Sequence, residues 1–314
     1  MKQPRLGLIG AGRWGKNIIK SLRSQKAVVL AGLATSNPDN RQLVGPETTL
    51  HANWEDMVAQ APLDGVIIAT PPDLHGWMVT AALNRGLAVL VEKPLTLNLG
   101  EAQALYRLAQ SRRGRVMVDH IHLYNHAWEA LAMIQPACGP ITGFTGAAGQ
   151  FGPFRREVPV LWDWGAHEVA LCLSLLNRDP EQVAVSLVER RLVDGLPGEI
   201  FDLILDFGRG VVARLRLGNL LPGKQRRLTV HCQDGDLTFD DVAAAKLAID
   251  YRGPGRAPAV PPLSSQLPLD HVLERFGRMV GQHEYDLGDL DLAVRVVRVL
   301  ERCQDAWQEA GGVR

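Results

Sequence analysis

The sequence predicts an α/β protein of two domains: a doubly wound parallel sheet, followed by an α+β domain with an open, mainly antiparallel sheet. The length of 314 residues predicts two domains, because one domain usually holds roughly 100–200 residues. Residues 1–118 alternate short apolar runs with helical patterns, which is typical of parallel strands joined by crossover helices. Residues 119–314 instead place strand-like runs one after another with short turns, which favours antiparallel pairing. We therefore expect the domain boundary at 118/119.

The first half predicts five strands and four helices. Short continuous apolar runs indicate strands that are buried on both faces, and apolar residues three and four apart indicate helices. The predicted strands are Leu6–Ile9, Ala27–Ala34, Gly65–Ala69, Leu87–Val91 and Arg115–Val118. The predicted helices are Trp14–Ser24, Trp54–Gln60, Asp73–Asn84 and Asn98–Gln110. Strand and helix alternate along this half, as a doubly wound sheet requires.

The second half predicts a different kind of domain. The predicted helices are Asn125–Ile134, Trp164–Leu176, His271–Gly281 and Leu290–Ala310, and the last is a candidate to pack back onto the first domain. The predicted strands are Gln182–Leu192, Ile200–Phe207, Val211–Leu217, Arg227–His231 and Asp236–Phe239. The second and third of these form a hairpin across Gly208-Arg209-Gly210. Residues 136–153 mix strand with loop, and residues 253–268 are rich in proline and irregular.

The composition argues against several classes of ligand and against a secreted or membrane protein. The chain carries 34 Lys and Arg against 34 Asp and Glu, so its formal net charge is zero, which argues against nucleic acid or an anionic membrane as a partner. Four scattered cysteines form no close pair, which speaks against zinc ribbons and fits a reducing compartment. The N-terminal apolar run is too short for a signal peptide, and prolines and glycines interrupt the charge-free stretch 130–154. We expect a cytoplasmic protein without a metal.

A glycine-rich loop follows the first predicted strand and opens the first predicted helix. Its sequence, Gly10-Ala11-Gly12-Arg13-Trp14-Gly15, has the spacing GxGxxG of dinucleotide-binding loops. The first glycine permits the tight turn, the second lets the backbone approach a pyrophosphate, and the third lets the helix pack closely on the strand. The alternative is a glycine-rich turn without a ligand. We expect Gly10, Gly12, Arg13, Trp14 and Gly15 to bind the cofactor.

The end of the second predicted strand bears on the choice between NAD and NADP. An acidic residue commonly stands there to bind the ribose hydroxyls, but this chain has Thr35 and Ser36. Their hydroxyls can bind a 2′-phosphate, to which Arg13 or Arg41 can add positive charge. Asp39 is an alternative ribose ligand, although an Asp after a Pro more often lies in the first turn of a helix. The cofactor is thus NADP or NAD, with NADP favoured.

Two further motifs follow the third and fourth predicted strands. They are Thr70-Pro71-Pro72-Asp73-Leu74-His75 and Glu92-Lys93-Pro94, and both lie at carboxyl ends of parallel strands, where ligands bind in such sheets. A lysine there can exchange a proton with a substrate hydroxyl. The alternative is an ordinary solvated loop lysine. The expected cofactor contacts in these motifs are Thr70, Pro71, His75, Glu92 and Lys93.

The second half contributes two more motifs, Asp119-His120-Ile121-His122-Leu123-Tyr124-Asn125 and Trp162-Asp163-Trp164-Gly165-Ala166-His167. On a helix, Asp163 and His167 lie on one face, and a carboxylate one turn from an imidazole can fix its orientation and charge. The alternative is an Asp at a helix start with a partly buried, hydrogen-bonded His, and spacing alone favours this alternative.

Together these motifs resemble those of the Gfo/Idh/MocA family, the glucose–fructose oxidoreductase and inositol dehydrogenase group. GAGRWG, TPPDLH and VEKP stand in the family's order and approximate spacing, and DWGAH matches its D-x-G-x-H signature. The stretch DHIHLYN departs from G-H-x-x-R-F-N, with Asp119 for Gly and Leu123 for Arg. It is closer to a branch with H-x-x-L-Y-N-P, G-P-x-R and W-D-x-x-x-H, which we associate with sugar or nucleotide-sugar oxidoreductases.

The resemblance implies a Rossmann domain, then a domain whose open sheet often makes the oligomer contact, here in a homodimer or homotetramer. It implies hydride transfer between NAD or NADP and a carbinol or keto carbon of a sugar, polyol or nucleotide sugar. Lys93, Asp163 and His167 are the implied catalytic residues. We favour His167 as the base and Lys93 as the group that polarises the substrate oxygen, with reversed roles as the alternative. The candidate substrate contacts are His120, Tyr124, Asn125, Arg155 and Arg156.

Two other functions occur on the same fold and stay open at this point. One is a ligand-binding transcriptional regulator, and the other is a glycoside hydrolase or lyase that uses NAD through transient oxidation. The presence of Lys93, Asp163 and His167 favours an enzyme over a regulator. The family commonly has an Asp three residues after the His, but this chain has Ala170 there, with Glu168 nearby.

Overall fold

The computed structural model describes residues 3–25, 27–255 and 257–311, which form two compact units. Unit 1 comprises residues 1–121 and 266–294, and unit 2 comprises residues 122–265 and 295–314. Each unit is therefore assembled from two separate stretches of chain. The domain boundary at 118/119 stays a prediction.

The structure contains one group of strands in each unit, together with helices that precede or follow them. Strands of unit 1 are β1 Arg5–Ile9, β2 Val29–Ala34, β3 Thr49–His51, β4 Gly65–Ile68, β5 Ala88–Glu92 and β6 Val116–Asp119. Strands of unit 2 are β7 Ile141–Phe151, β8 Gln182–Val193, β9 Leu196–Asp206, β10 Val212–Gly218, β11 Leu220–Cys232, β12 Gly235–Asp240 and β13 Leu247–Tyr251. The helices are α1 Arg13–Ser24, α2 Trp54–Gln60, α3 His75–Asn84, α4 Leu99–Arg112, α5 His126–Ile134, α6 Val160–Leu176, α7 Pro268–Gln282 and α8 Gly288–Glu309.

Unit 1 contains a six-stranded sheet in the order β3-β2-β1-β4-β5-β6, with every neighbouring pair parallel. This confirms the predicted doubly wound parallel sheet. The order reverses between β1 and β4, and ligands of such sheets bind outside the carboxyl ends of the strands at that switch point. The loops after β1, β4 and β5 are therefore the ones expected to meet a ligand.

Helix α7 completes unit 1 although it lies far along the chain from the sheet. The Phe276 side chain is fully buried and its ring lies beside Gly65, where a Cβ atom would come within 3.2 Å of it. A Cβ atom at Gly277 would lie 2.6 Å from Val28, and the Gln25 amide donates to the Asp270 carbonyl over 2.7 Å. The fit is close, so α7 is an integral part of the unit 1 core.

Unit 2 contains a seven-stranded sheet in the order β13-β12-β11-β7-β10-β9-β8. All neighbouring pairs are antiparallel except β7 and β10, which confirms the predicted open, mainly antiparallel sheet. Helix α6 packs on one face of this sheet, where a Cβ atom at Gly165 would lie 3.5 Å from Leu217. The predicted hairpin joins β9 to β10 through Gly208, Arg209 and Gly210, all of which have positive φ.

Three strands differ from expectation. Strand β7 runs through residues 141–151, where the sequence predicted a mixture of strand and loop, while β3 and β13 were not predicted. The glycines that resemble turn residues in β7 instead allow close packing, since a Cβ atom at Gly149 would lie 2.1 Å from the Gly218 carbonyl. Strand β3 has only three residues and β13 lies at a sheet edge, so their patterns are weak.

Among the described residues, no helix combines the length and apolarity that crossing a membrane requires.

Candidate active site

The loop from Gly10 to Gly15 joins β1 to α1 in a conformation that favours glycine at two positions. Gly10 has φ +95°, and a Cβ atom there would lie 2.6 Å from the Ala69 carbonyl oxygen. At Gly15, a Cβ atom would lie only 2.2 Å from the carbonyl oxygen of Gly10. The helix therefore approaches the strand end more closely than any side chain would allow.

The middle glycine of the loop has the opposite surroundings. Gly12 is the N-cap of α1, and a Cβ atom built there meets no atom of the described residues within 4 Å. The following turn, Arg13 to Lys16, carries no acidic side chain, and the N–H groups of a first helical turn lack intrahelical acceptors. An anionic pyrophosphate accepts hydrogen bonds from such N–H groups. The residues present therefore fit a dinucleotide. That Gly10, Gly12, Arg13, Trp14 and Gly15 bind it stays a prediction.

The residues after β2 form a short 3₁₀ turn, Pro38–Leu43. The Thr35 hydroxyl oxygen accepts a hydrogen bond from the Asn40 amide over 2.8 Å, and Ser36 is exposed. Asp39 lies in the first turn of this short helix, which is the more ordinary of its two expected places. Both hydroxyls stand directly after the strand end, while the Asp39 carboxyl is part of the following turn.

The two arginines considered for the adenosine end differ in how they are held. The Arg41 guanidinium donates to the carbonyl oxygens of Gly45 and Thr48, so it is engaged within its own loop. Arg13 is exposed at the first position of α1. Arg13 is therefore the better placed of the two to meet an anion at the N-terminus of that helix.

His75 ties together the loops that follow β4 and β5. It is fully buried, and its ring nitrogens lie 2.9 Å from the Thr70 carbonyl oxygen and 3.0 Å from that of Pro94. Burial lowers the pKa of His75, and the hydrogen bonds to the backbone oppose this. The imidazole thus fixes the loop that carries Lys93. Direct cofactor contacts of Thr70, Pro71 and His75 stay predictions.

Two carboxyl groups, of buried Asp119 and half-buried Glu92, lie side by side at the ends of β6 and β5. Glu92 and Asp119 are partners in the parallel register, and their side chains share a hydrogen bond. Burial and the charge of Asp119 raise the pKa of Glu92 well above its usual range, while Lys93 and Trp14 oppose this. Burial raises the pKa of Asp119 to about 6. The pair therefore shares one proton near neutral pH, so it carries one negative charge instead of two.

Lys93 follows this pair directly and is half-buried, and its peptide bond to Pro94 is cis. The His120 side chain is 2% exposed, and burial together with the charge of Lys93 lowers the pKa of His120 to about 3. His120 is therefore neutral. Among the described residues, its Nε2 atom has no hydrogen-bond partner. A ligand or a water molecule would provide that hydrogen bond.

In unit 2, α6 carries the predicted carboxylate and imidazole. Asp163 lies in the first turn of the helix and His167 one turn further on, and both are half-buried. A guanidinium nitrogen of Arg155 lies 3.7 Å from an Asp163 carboxylate oxygen. The helix thus brings Asp163 and His167 onto one face as expected, and the loop before it adds a cation.

A second imidazole lies beside His167. The ring of His122 makes an edge-to-face contact with the ring of His167, with centroids 4.8 Å apart and an angle of 67° between the planes. On another side, His122 contacts Phe239 at a centroid distance of 6.2 Å. The sequence pattern does not mark His122 as a site residue, although His122 stands two residues after His120 in the same motif.

A partly buried cluster of charged residues lies beside the same helix. The Arg226 guanidinium, on β11, stacks 4.1 Å above the ring of Trp164. Burial lowers the pKa of Arg226, whereas the charges of Glu168, Asp163 and Asp241 raise it. Burial raises the pKa of Glu168 to about 7, against the influence of Arg226. Nothing in the local sequence marks Arg226, because only the sheet brings β11 to α6.

The remaining predicted substrate residues also have places in unit 2. Asn125 caps α5 and donates from its amide to a carboxylate oxygen of Asp241 over 2.8 Å, and Tyr124 is buried. Arg156 is exposed and donates to the Gly195 carbonyl oxygen over 3.2 Å. Asn125 and Tyr124 therefore contribute to the fold. Contacts of any of these residues with a substrate stay predictions.

The parallel-sheet part of the chain matches the model of a known protein family. Residues 4–120 match the model of the Gfo/Idh/MocA oxidoreductase family, which is described by its NAD-binding Rossmann fold. The match covers the dinucleotide loop, the Lys93 motif and the strand that ends at Asp119.

Whole-length relatives extend the likeness to both units. A crystal structure of a candidate oxidoreductase from Magnetospirillum magnetotacticum is 41% identical, covers 96% of this chain and 100% of its own, and has a TM-score of 0.89. A UDP-N-acetylglucosamine 3-dehydrogenase of Acidithiobacillus ferrooxidans is 27% identical over 264 residues, 82% of this chain and 80% of that one. An inositol 2-dehydrogenase of Rhizobium meliloti is 23% identical over 259 residues, 78% of each chain.

Proposed function

The chain belongs to the Gfo/Idh/MocA oxidoreductase family, and from this premise we propose its reaction. The protein transfers hydride between NADP or NAD and a carbinol or keto carbon of a sugar, polyol or nucleotide sugar. One observation carries this proposal: a chain with an open cradle at Gly12 also keeps Lys93, Asp163 and His167 in the family's motifs. When bound, the nicotinamide ring supplies the hydride chemistry.

The protein's own groups handle the proton of the reaction. His167 takes the carbinol proton, because an imidazole ordinarily titrates near neutral pH and accepts and releases protons readily there. Lys93 donates to the substrate oxygen and stabilises alkoxide character as the C–H bond breaks. Asp163, one helical turn before His167, stabilises the ring when it becomes charged.

The carboxyl pair beside Lys93 sets the charge at the strand ends. Because Glu92 and Asp119 share one proton, Lys93 lies beside one negative charge instead of two. Neutral His120 completes this surface with an imidazole nitrogen that lacks a protein partner among the described residues. Both features support binding of a polar, uncharged part of a substrate, such as a sugar ring.

The substrate class follows from the relatives and from the arginines. Two curated relatives that align over most of the chain are named as dehydrogenases of UDP-N-acetylglucosamine and of inositol. Arg155 and Arg156 are exposed, so a phosphate group can reach them. We therefore place nucleotide sugars first in a substrate panel, followed by cyclic polyols and free aldoses. His120, Tyr124 and Asn125 are the proposed sugar contacts.

The adenosine end favours NADP. Thr35 and Ser36 offer hydroxyls where an acidic residue would repel a 2′-phosphate, and exposed Arg13 supplies charge at the N-terminus of α1. Native mass spectrometry of the purified protein tests this choice, because it resolves any retained cofactor by mass. Retained NADP is the expected result, and retained NAD would contradict the preference.

We also propose a cytoplasmic homodimer or homotetramer that forms through the outer face of the unit 2 sheet. Ile204 is 43% exposed in the middle of β9, although Leu203 and Leu205 on either side are buried. Its cross-strand partner on β8, Ala184, is also exposed, and adjoining exposed apolar residues on an open sheet face mark an interface. Light scattering of the wild type and of an Ile204→Asp variant tests this. A wild-type monomer, or a variant with unchanged mass, would contradict it.

Substitution of the proton-handling residues tests the proposed reaction. We expect Lys93→Ala and His167→Ala each to keep cofactor binding and to lose turnover by roughly a hundredfold or more. Lys20→Ala is the matched control, since Lys20 is exposed on α1. Turnover is followed by the absorbance of the reduced nicotinamide. Near-wild-type rates in either variant would remove that residue from the mechanism, and turnover without net reduction would indicate transient redox chemistry.

A further inference from the structure

Four aromatic rings of unit 2 contact one another in a row that ends at the proposed base. Trp128 of α5 contacts Phe239 of β12 with ring centroids 5.7 Å apart, and Phe239 contacts His122 at 6.2 Å. His122 then contacts His167 at 4.8 Å. Trp128 and Phe239 are each only 2% exposed, so the far end of the row is anchored in the core. The contact with Phe239 therefore helps to fix the position of His122 beside His167.

The row combines two apolar rings with two rings that can carry a proton. Apolar packing alone would be served at least as well by a phenyl ring at position 122, because a partly buried imidazole loses part of its hydration. His122 is half-buried, so it has both a core side and a side that water reaches. Two imidazoles in contact also resist carrying two positive charges at once, so a proton on one favours the neutral form of the other.

We propose that His122 is a positioning residue that relays the proton of His167 to solvent. This inference rests on the proposed hydride transfer. During oxidation, the carbinol C–H bond breaks with both electrons leaving as hydride, and the O–H proton forms an N–H bond on His167. An N–H bond of His167 then breaks as its proton bonds to His122, and His122 releases a proton to water or buffer. Both imidazoles end neutral, and reduction runs the same steps in reverse.

Charged groups of both signs lie on the elements that carry or pack against His167. Asp163 lies on the same helix as His167, and a guanidinium nitrogen of Arg155 lies 3.7 Å from an Asp163 carboxylate oxygen. Arg226 lies on β11, and the charges of Glu168, Asp163 and Asp241 act on it. The pKa of Glu168 is raised to about 7, so its carboxyl is only partly ionised at neutral pH. A proton on His167 therefore meets carboxylates as well as guanidiniums.

The variant His122→Phe distinguishes proton transfer by residue 122 from its packing against neighbouring rings. A phenyl ring preserves the edge-to-face packing against His167 and Phe239 but carries no proton. We expect kcat in dilute buffer to fall roughly tenfold, with unchanged cofactor affinity and unfolding midpoint. Added imidazole should restore kcat, because a small diffusible base replaces the relay. His122→Gln is the second variant, since it is polar and of similar size, and it should show the same loss and the same recovery.

Two results would overturn the relay. Wild-type kcat of His122→Phe in dilute buffer would show that no proton passes through position 122, and a loss that imidazole does not restore would show a structural role. Nuclear magnetic resonance titration of the imidazole C–H signals gives a readout without turnover. His167 should titrate as one simple curve in His122→Phe and as a displaced, coupled curve in the wild type. Turnover loss in His167→Ala tests the proposed function separately, so its failure is distinguishable from failure of the relay.

Discussion

Burial drives several titratable side chains toward their neutral forms. The pKa of His120 falls to about 3, and that of Glu168 rises to about 7, in both cases chiefly because burial disfavours the charged form. The shared proton of Glu92 and Asp119 has the same origin. At neutral pH these groups therefore add less charge around the candidate site than their residue types suggest.

Glu168 makes the stability of the protein depend on pH. Its pKa is higher in the folded chain than in the unfolded chain, so the folded state binds the proton more tightly. The free energy of unfolding should therefore fall as pH rises from the ordinary glutamate range to about 7, and this contribution stays constant above that. Glu168→Gln removes the effect, and we expect it to stabilise the protein at pH 8 by up to about 3 kcal/mol. Urea denaturation at several pH values measures this.

The comparison variant is Glu47→Gln, which changes an exposed glutamate in the loop before β3. It should follow the wild-type pH curve. A Glu168→Gln curve parallel to that of the wild type between pH 5 and pH 8 would show that Glu168 ionises normally. It would also weaken the assignment of Arg226 as a cation opposed by several carboxyls.

The carboxyl pair gives a second prediction for single residues. In Asp119→Asn, Glu92 keeps its burial but loses the negative neighbour that raises its pKa. The ionisation midpoint of Glu92 should therefore move to lower pH. Infrared spectroscopy follows this through the C=O band of a protonated carboxyl, which should persist to higher pH in the wild type. An identical midpoint in the two proteins would mean that the two carboxyls do not share a proton.

Between β1 and α1, two glycines should respond to the same substitution in opposite ways. Gly15→Ala places a methyl group about 2.2 Å from a backbone carbonyl, so we expect the free energy of unfolding to drop by roughly 2 kcal/mol or more. Gly12→Ala meets open space, so stability should be retained. The methyl group would instead occupy the proposed pyrophosphate position, and cofactor affinity should fall roughly tenfold.

Chemical denaturation and fluorescence titration with NADP measure the two effects separately. The pair of glycine variants controls for itself, because the chemical change is the same at both positions. Full cofactor affinity in Gly12→Ala would contradict the cradle at the N-terminus of α1. Unchanged stability in Gly15→Ala would contradict the close approach of helix and strand.

The sequence predicts strands that consist of one continuous apolar run and helices with one apolar stripe. It does not predict strands whose residues are determined by packing against neighbouring strands. Strands β1, β4 and β5 follow directly from their apolar runs. In β7, Gly143, Gly146 and Gly149 resemble turn residues, yet each lies where an adjacent strand leaves no room for a side chain. Such a requirement comes from the sheet and leaves no local pattern.

The same distinction applies to the candidate site. Lys93, Asp163 and His167 stand in short motifs whose spacing is local, so the sequence could propose them. The pairing of Glu92 with Asp119 depends on the register between β5 and β6. Arg226 faces α6 because β11 pairs with β7, which is a contact between distant parts of the chain. Pairings of this kind cannot be derived from residue spacing.

At the scale of the whole molecule, the division of unit 1 into two stretches of chain predicts how fragments behave. Residues 1–118 alone lack α7, whose Val272, Leu273 and Phe276 side chains are fully buried. Each such side chain contributes roughly 1.5–3 kcal/mol, which together is comparable with the stability of many domains. We expect this fragment to lose cooperative unfolding and to bind hydrophobic dyes. Circular dichroism melting and dye fluorescence measure both.

A linked fragment provides the control. Residues 1–121 joined through a flexible linker to residues 266–294 should unfold cooperatively and bind NADP, since they contain all of unit 1. Cooperative unfolding of residues 1–118 by themselves would contradict the need for α7 and would support the boundary at 118/119 as a true domain limit.

The late position of α7 also sets an order of events during synthesis. The ribosome releases β1 to β6 first, then the whole stretch 122–265, and only afterwards the helix that closes the nucleotide-binding core. Synthesis proceeds at roughly 5–20 residues per second, so α7 emerges on the order of ten seconds after the parallel sheet is complete. A chain that terminates before residue 268 lacks α7, so we expect its parallel sheet to stay unstable and to bind dinucleotide poorly.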